Sequence, residues 1–223
     1  MGVREGGYGQ YCPIARAVDV LGDRWTLLIV RDMLCGMSRF NDIARGNPRL
    51  SRSLLAKRLR QLESVGVVER LDGEYVLTPS GEDLRTVVFG LGEWGAKWSF
   101  GDPSEDELDP ELLMWWVHDR LDFSSVPDRR SVLEFRFRGD RRRFWIVKDT
   151  AGPSLCMHDP GFEIDVLVEA DLAAMYKVWL GRMDLRDAIG DGLVELTGTP
   201  AIVRRMSEVL MLSPIASYVT AAR

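Results

Sequence analysis

Histidine is nearly absent from this 223-residue chain, which has only His118 and His158, and cysteine occurs three times, at Cys12, Cys35 and Cys156. Neither histidine sits at a metal-ligand spacing, no CxxC accompanies the cysteines, and GxSxG, P-loop and dinucleotide fingerprints are missing. Catalytic residues: none expected; metal: none; cofactor: none. An odd number of widely spaced cysteines also excludes a disulfide scaffold. No apolar run approaches the roughly 18 residues of a spanning helix, and the opening MGVREGGYGQ lacks the apolar stretch of a secretory signal. These absences predict a cytoplasmic protein with no membrane partner that is not an enzyme.

A hydrophobic content of 46% with 28% charged residues is enough for a real core and too apolar for a disordered chain. The length allows one or two domains. The net charge of −5 hides an asymmetry: residues 1–100 carry 14 Lys and Arg against 12 Asp and Glu, whereas residues 101–223 carry 15 against 22. Such a balance argues against a protein that coats nucleic acid indiscriminately, yet it leaves room for one local basic face.

That face lies in LSRSLLAKRLRQLESVGVVER, residues 50–70. On a helical wheel Leu54, Leu55, Leu59, Leu62 and Val65 gather in an apolar sector, Ser53, Lys57, Arg60 and Ser64 gather opposite, and Ala56 and Arg52 flank them. Ser51 is the expected N-cap. Arg39, Arg45, Arg49, Arg52, Lys57, Arg58 and Arg60 put seven positive charges between residues 39 and 60 against Asp42 alone. A charge run by itself is usually a solvated helix face, but its context differs. Helices are expected from Pro13 to Gly22, then over DRWTLLIVRDMLCG with Trp25, Leu28, Ile29 and Met33 on one stripe, then over RFNDIARG with Ser38 as its cap. Behind the basic helix, VVERLDGEYVLT reads as a hairpin turning at Asp72-Gly73. Helix, turn, helix and hairpin make a winged helix-turn-helix. Arg and Lys read guanine in a major groove, Ser accepts several partners and an Ala methyl meets thymine, so Ser53, Ala56, Lys57 and Arg60 are the expected base-facing positions. Arg39, Arg49, Ser51, Arg52 and Arg70 are further expected DNA-binding residues. The wing is weak, since Arg70 is its only basic residue and Asp72 and Glu74 sit at its tip.

Thr78-Pro79 opens a last long helix with Leu84, Val87, Val88, Leu91 and Trp94 along one side. Gly90, Gly92 and Gly95 are expected to bend it or end it early. The acidic, proline-containing SFGDPSEDELDP reads as a linker, giving a DNA-binding domain over residues 1–98, a linker over 99–110 and an α+β domain over 111–223. In the last of these, ELLMWWVHDRL is expected as a helix, SVLEFRFR and RRFWIVKD as a hairpin, PSLCMHD and EIDVLVEA as strands, the latter with Ile164, Val166 and Val168 inward. Helices over Leu172 to Leu180 and Leu185 to Ile189, a strand LVELTG and one closing helix PAIVRRMSEVLML complete it. Arg141, Arg142 and Arg143 beside the hairpin read as a solvated strand end, or as the seat of an anionic head.

YCPIARAVDVLGDRWTLLIVRDML, SRFNDIARG, LSRSLLAKRLRQLESVGVVER and YVLTPSGEDL together resemble the HxlR-type family of winged helix regulators within the wider MarR-like fold, from Tyr11 to Trp98. The resemblance implies a homodimer built on terminal helices, bound to double-stranded operator DNA at half-sites about 34 Å apart. It also implies a redox role for Cys12, which matches a sensing cysteine of some relatives; the plainer reading is a small buried apolar residue.

SVLEFRFRGDRRRFWIVKD followed by EIDVLVEADLAAMYKVWLGRMDLRDAIGDGLVELTG resembles the sterol carrier protein type 2-like domain, from Leu112 to Pro214. That likeness implies a sheet with helices over it enclosing an apolar tunnel, with an apolar small-molecule effector as a further partner. Trp145, Met157, Met175, Trp179, Met183, Met206 and Leu210 are the residues that suit such a lining, although Met and Trp at helical spacing are more often core. The leading expectation is a dimeric regulator, repressing by default, whose second domain binds an apolar molecule that alters DNA affinity. The alternatives are a thiol sensor through Cys12 with the second domain as dimerisation scaffold, and a lipid carrier.

Overall fold

The computed structural model describes residues 7–126 and 129–221, so residues 1–6 of the amino-terminal stretch lie outside it. Two compact units divide between Gly92 and Glu93.

The first unit opens with α1 (Pro13–Leu21), which places proline at its first position, where the missing N–H costs nothing. It continues through α2 (Thr26–Leu34), α3 (Phe40–Gly46) and α4 (Arg52–Ser64) into the strands β1 (Val68–Leu71) and β2 (Glu74–Leu77). The strands pair antiparallel, and the turn between them has φ of 50° at Asp72 and 88° at Gly73, the left-handed pair a tight hairpin requires. Ile29, Val30, Ile43, Leu55 and Leu59 are fully buried. Each such side chain contributes about 1.5–3 kcal/mol by leaving water.

Three local expectations are corrected here. Leu28 is 40% exposed, and the buried stripe of α2 runs through Ile29, Val30, Met33 and Leu34. Trp25, held in the left-handed region at φ 79°, is the N-cap of that helix and lies outside its stripe. Ser38 does not cap α3, whose N-cap is Arg39; its hydroxyl donates to Glu74 at 2.9 Å and its carbonyl accepts from the Tyr75 amide at 2.8 Å. The hairpin claims a side chain that local sequence assigned to a helix end. Thr78 caps only the single turn α5 (Pro79–Glu82), and α6 (Leu84–Trp98) then runs on through Gly90, Gly92 and Gly95.

The second unit is built on a five-stranded sheet in the order β5-β4-β3-β6-β7. Its strands are β3 (Ser131–Phe137), β4 (Arg143–Asp149), β5 (Gly152–Cys156), β6 (Val166–Ala170) and β7 (Val194–Gly198). All neighbours are antiparallel except β3 and β6. Alternation along the strands sends Leu133, Phe135, Phe144 and Ile146 to one face, where α7 (Pro110–His118) and α8 (Leu172–Trp179) supply Leu113, Met114 and Met175 to a single core. The other face holds a smaller cluster of Val132, Trp145 and Val147 with Cys156 against it. After α9 (Leu185–Gly190), β7 closes against β6. There Gly198, at φ 144°, lies so near the Asp165 carbonyl that an added Cβ would overlap it.

Ile164 precedes β6 and is 41% exposed, so only Val166 and Val168 of the expected trio point inward. The single closing helix is instead two turns, α10 (Pro200–Val203) and α11 (Met206–Val209), followed by α12 (Ala216–Ala221). The stretch read as a linker is tied to α8: Asp102 pairs with Lys177 at 2.9 Å, and the Asp109 carbonyl accepts from the Tyr176 hydroxyl at 2.8 Å. Burial in that contact pushes the Tyr176 phenol up to about 12.

Candidate nucleic-acid interface

Two turns fix where α4 lies. At its start, Ser51 accepts from the Leu54 amide at 3.3 Å, satisfying an amide that would otherwise lack a partner. Before it, buried Asn47 donates through Nδ2 to Asp32 at 2.5 Å and to the Ile43 carbonyl at 2.9 Å, tying the end of α3 to α2. Arg31 completes this network with a 2.8 Å bond to the other Asp32 oxygen. Burial pushes the Asp32 carboxyl up; Arg31 and Asn47 oppose the shift without cancelling it.

With Leu55, Leu59 and Leu62 inside, the opposite side of α4 presents Ser53, Lys57, Arg60 and Ser64, all exposed, with Ala56 half-buried at its edge. This is the face the helical wheel predicts. Arg49 and Ser51 are exposed in the preceding turn. Arg52 is exposed too, but held: its Nη2 donates to Asn41 Oδ1 at 2.6 Å and its guanidinium lies 5.0 Å from the Phe40 ring centre. On the hairpin, Arg70 lies 5.6 Å from the ring centre of its cross-strand partner Tyr75. Arg39 donates through Nε to Glu74 at 2.9 Å. Bonds from Arg39 and Ser38 hold the Glu74 carboxyl below its ordinary range.

Arg58 leaves the expected phosphate footprint. Its side chain is 13% exposed, and Nη1 donates to Asp23 Oδ2 at 2.5 Å and to Gln61 Oε1 at 2.8 Å. The helical period turns residue 58 toward the junction of α1 and α2, where an acid waits. Sequence reasoning places Glu74 at the wing tip and Phe40 on the third helix, but it does not foresee that these two, with Asn41 and Tyr75, orient the basic side chains. Phe40 and Asn41 meet Arg52, and Glu74 meets Arg39, across gaps that no helical or strand period marks, whereas Tyr75 stands opposite Arg70 across the Asp72-Gly73 turn.

Cys12 is half-buried at the N-cap of α1. Of the residues proposed for a tunnel, Met175, Trp179, Met206 and Leu210 belong to the main core of the second unit, with Met183 packed against it. Trp145 does not join them, because strand alternation places it on the opposite face of the sheet, and Met157 is 37% exposed beyond β5. Among the described residues there is no cluster of potential metal ligands and no helix long and apolar enough to cross a membrane.

Residues 20–102 match the family described as HxlR-like helix-turn-helix. The chain is 38% identical over 103 residues to YvaP of Bacillus subtilis (strain 168), described as an uncharacterized HTH-type transcriptional regulator, covering 43% of this chain and 94% of that one. It is 39% identical over 89 residues to Rv3095 of Mycobacterium tuberculosis (strain ATCC 25618 / H37Rv), of the same description, where it spans 37% of this chain and 56% of the relative. Among solved structures, the quinone-bound YodB of B. subtilis is 34% identical, with 39% of this chain and 99% of that chain covered and a TM-score of 0.36.

Proposed function

This chain belongs to the HxlR-like helix-turn-helix family of transcriptional regulators, and from that premise we propose that it acts as a homodimer reading a pseudo-palindromic operator, as a repressor by default. The observation that carries the reading is the exposed row Ser53, Lys57 and Arg60 on a helix whose opposite row is buried. A helix so held, charged on its free side and capped at Ser51, fits a major groove. Ala56 at its edge suits a thymine methyl, while Arg39, Arg49, Ser51, Arg52 and Arg70 suit phosphates. Contact with operator DNA implies a cytoplasmic protein. The test is selection of an operator from random sequence with the intact protein, followed by Lys57→Ala with Arg60→Ala; an unchanged sequence preference in that variant would sink the assignment.

The homodimer reading rests on two exposed apolar rows. Val87, Leu91, Trp94 and Trp98 stand out along α6, each at least 48% exposed, and Tyr11, Ile14 and Val18 do so at and along α1. Rows of this kind on monomers are partner surfaces.

For the second unit we read a sterol-carrier-like domain that takes an apolar small molecule between sheet and helices. In support, one side of the sheet is covered by helices bearing Met175, Trp179 and Met206, with Met183 at the margin. Flexible methionines reopen around a guest more easily than branched side chains do. A stoichiometric apolar adduct in native mass spectra of gently purified protein is the expected result. A second reading, thiol control through Cys12 with the second unit as scaffold, is favoured by the position of Cys12 at the start of α1, one residue from the exposed Tyr11. Oxidant-insensitive DNA binding would remove it.

A further inference from the structure

Five arginines, Arg136, Arg138, Arg141, Arg142 and Arg143, crowd the β3 and β4 hairpin. With Asp140 and Glu169 they line a cavity of about 420 Å³. Two are committed to its wall. Arg136 donates through Nε to the buried Glu134 at 2.6 Å, and Arg142 grips Asp140 through Nη2 at 2.7 Å and Nε at 3.1 Å. The other three keep donors open. Arg138 pairs with Glu195 through Nη2 alone, at 2.8 Å, and remains 44% exposed. Arg143 stands 3.9 Å from Glu134, beyond hydrogen-bond reach, and among the described residues the exposed Arg141 has no carboxylate partner. Asp140 and Glu169 on the wall, Glu134 and Glu195 behind it, and Asp109 and Glu111, which act on Arg142, offset the charge of the cluster, but among the described residues none of these carboxylates is within hydrogen-bond reach of the Arg141 or Arg143 guanidinium.

Guanidinium groups this close repel one another unless an anion joins them, and arginine forks match phosphate and carboxylate oxygens two at a time. We propose that this cavity binds a small organic polyanion, whose phosphate or carboxylate group is held by Arg138, Arg141 and Arg143. Nucleic acid is a poorer fit. Residues 101–223 carry 22 acidic against 15 basic residues, a field that repels a long polyanion, whereas a small one reaches a concave site and meets only its wall. The site stands independently of the apolar reading of the helical side of the sheet.

Isothermal titration of the intact protein with pyrophosphate, and separately with citrate, at fixed ionic strength tests it. One saturable event per chain with at least one probe is expected, weakened about tenfold or more in Arg138→Ala with Arg141→Ala. Arg186→Ala with Arg204→Ala, exposed positions elsewhere in the same unit, controls for net charge and leaves binding unchanged. Pyrophosphate binding alone points to a phosphate ester, citrate alone to a polycarboxylate, and mutual displacement to a shared oxyanion seat. Absence of saturable binding with both probes, or equal weakening in the control variant, would overturn the proposal. Unfolding curves confirm that the variants remain folded.

Discussion

Arg58 on the basic helix and Asp23 in the turn between α1 and α2 form a 2.5 Å ion pair, with the arginine side chain only 13% exposed. One of the seven cations that mark the DNA-binding segment is therefore a fastener. Removing it takes the guanidinium away from an acid that is itself 30% exposed, so the cost lies between that of a surface pair and a buried one. Arg58→Met is expected to destabilise the protein by about 2 kcal/mol, seen as a lower urea midpoint with unchanged slope. Its sequence preference should persist where it is folded. Loss of preference without loss of stability would return Arg58 to the groove.

Lys57 and Arg60 predict the reverse pattern. Both are exposed, and their truncation leaves the urea midpoint in place. A slope of log affinity against log salt shallower by about 1.8, at about 0.9 per neutralised phosphate, with unchanged sequence preference would mean that both meet phosphates and would overturn their base-facing assignment. If either reads a base, discrimination at one operator position falls by about 1–3 kcal/mol while the slope changes less. Competition binding over a salt series separates the two.

This contrast marks how far the sequence was legible. Periodicity separates Leu55, Leu59 and Leu62 from Ser53, Lys57 and Arg60 because burial repeats with the helix, and Asp72-Gly73 announces its turn because few residues accept positive φ. Arg58 and Ser38 were misread for one reason: their partners lie 35 and 36 residues away, where no local rule reaches. The sheet of the second unit was legible strand by strand. Its order was not, because the parallel pairing of β3 with β6 leaves no mark in either strand. Trp145 is not a tunnel residue because alternation along β4 sets it on the face opposite Phe144 and Ile146, and a strand apolar on both faces does not tell which face the helices cover.

The Arg39 and Glu74 clasp carries a pH signature. Glu74 has its folded-state pKa lowered from the ordinary 4.5, first by the bond from Arg39 and then by that from Ser38. Its contribution to holding the hairpin is complete above the ordinary value and is lost as pH falls through the lowered one. Carboxyl carbon shifts in NMR should give Glu74 a midpoint below 4.5, returning toward that value in Arg39→Ala. A midpoint at or above it in the parent protein would mean that the clasp does not form in solution.

Tyr176 makes a test of the second unit that does not involve DNA. Its hydroxyl donates to the Asp109 carbonyl at 2.8 Å, and the Asp109 side chain caps α7 by accepting from the Glu111 amide at 2.9 Å. Tyr176→Phe removes the donor but keeps the ring, so about 1 kcal/mol of stability should go. Because burial raises this phenol to about 12, ultraviolet titration should detect no phenolate from it at pH 10, where an exposed tyrosine is half ionised. Ordinary ionisation there would mean that the stretch before α7 comes away from α8.

The row Val87, Leu91, Trp94 and Trp98 makes the last prediction, because its exposure has a cost that only association relieves. Trp94 and Trp98 are 61% and 67% exposed, on the same helix as Leu91 at 50%. Burying such a row twice, once from each copy, supplies the apolar area that a symmetric interface needs at its centre. Trp94→Ala with Leu91→Ala should leave Val88 and Phe89, the inward side of α6, in place and the fold intact. In sedimentation the variant should run as a monomer at concentrations where the parent is a dimer. Operator affinity should fall steeply, because two half-sites are no longer engaged at once. A variant that stays dimeric would move the interface off α6 and onto another surface, with the Tyr11, Ile14 and Val18 row the next to truncate.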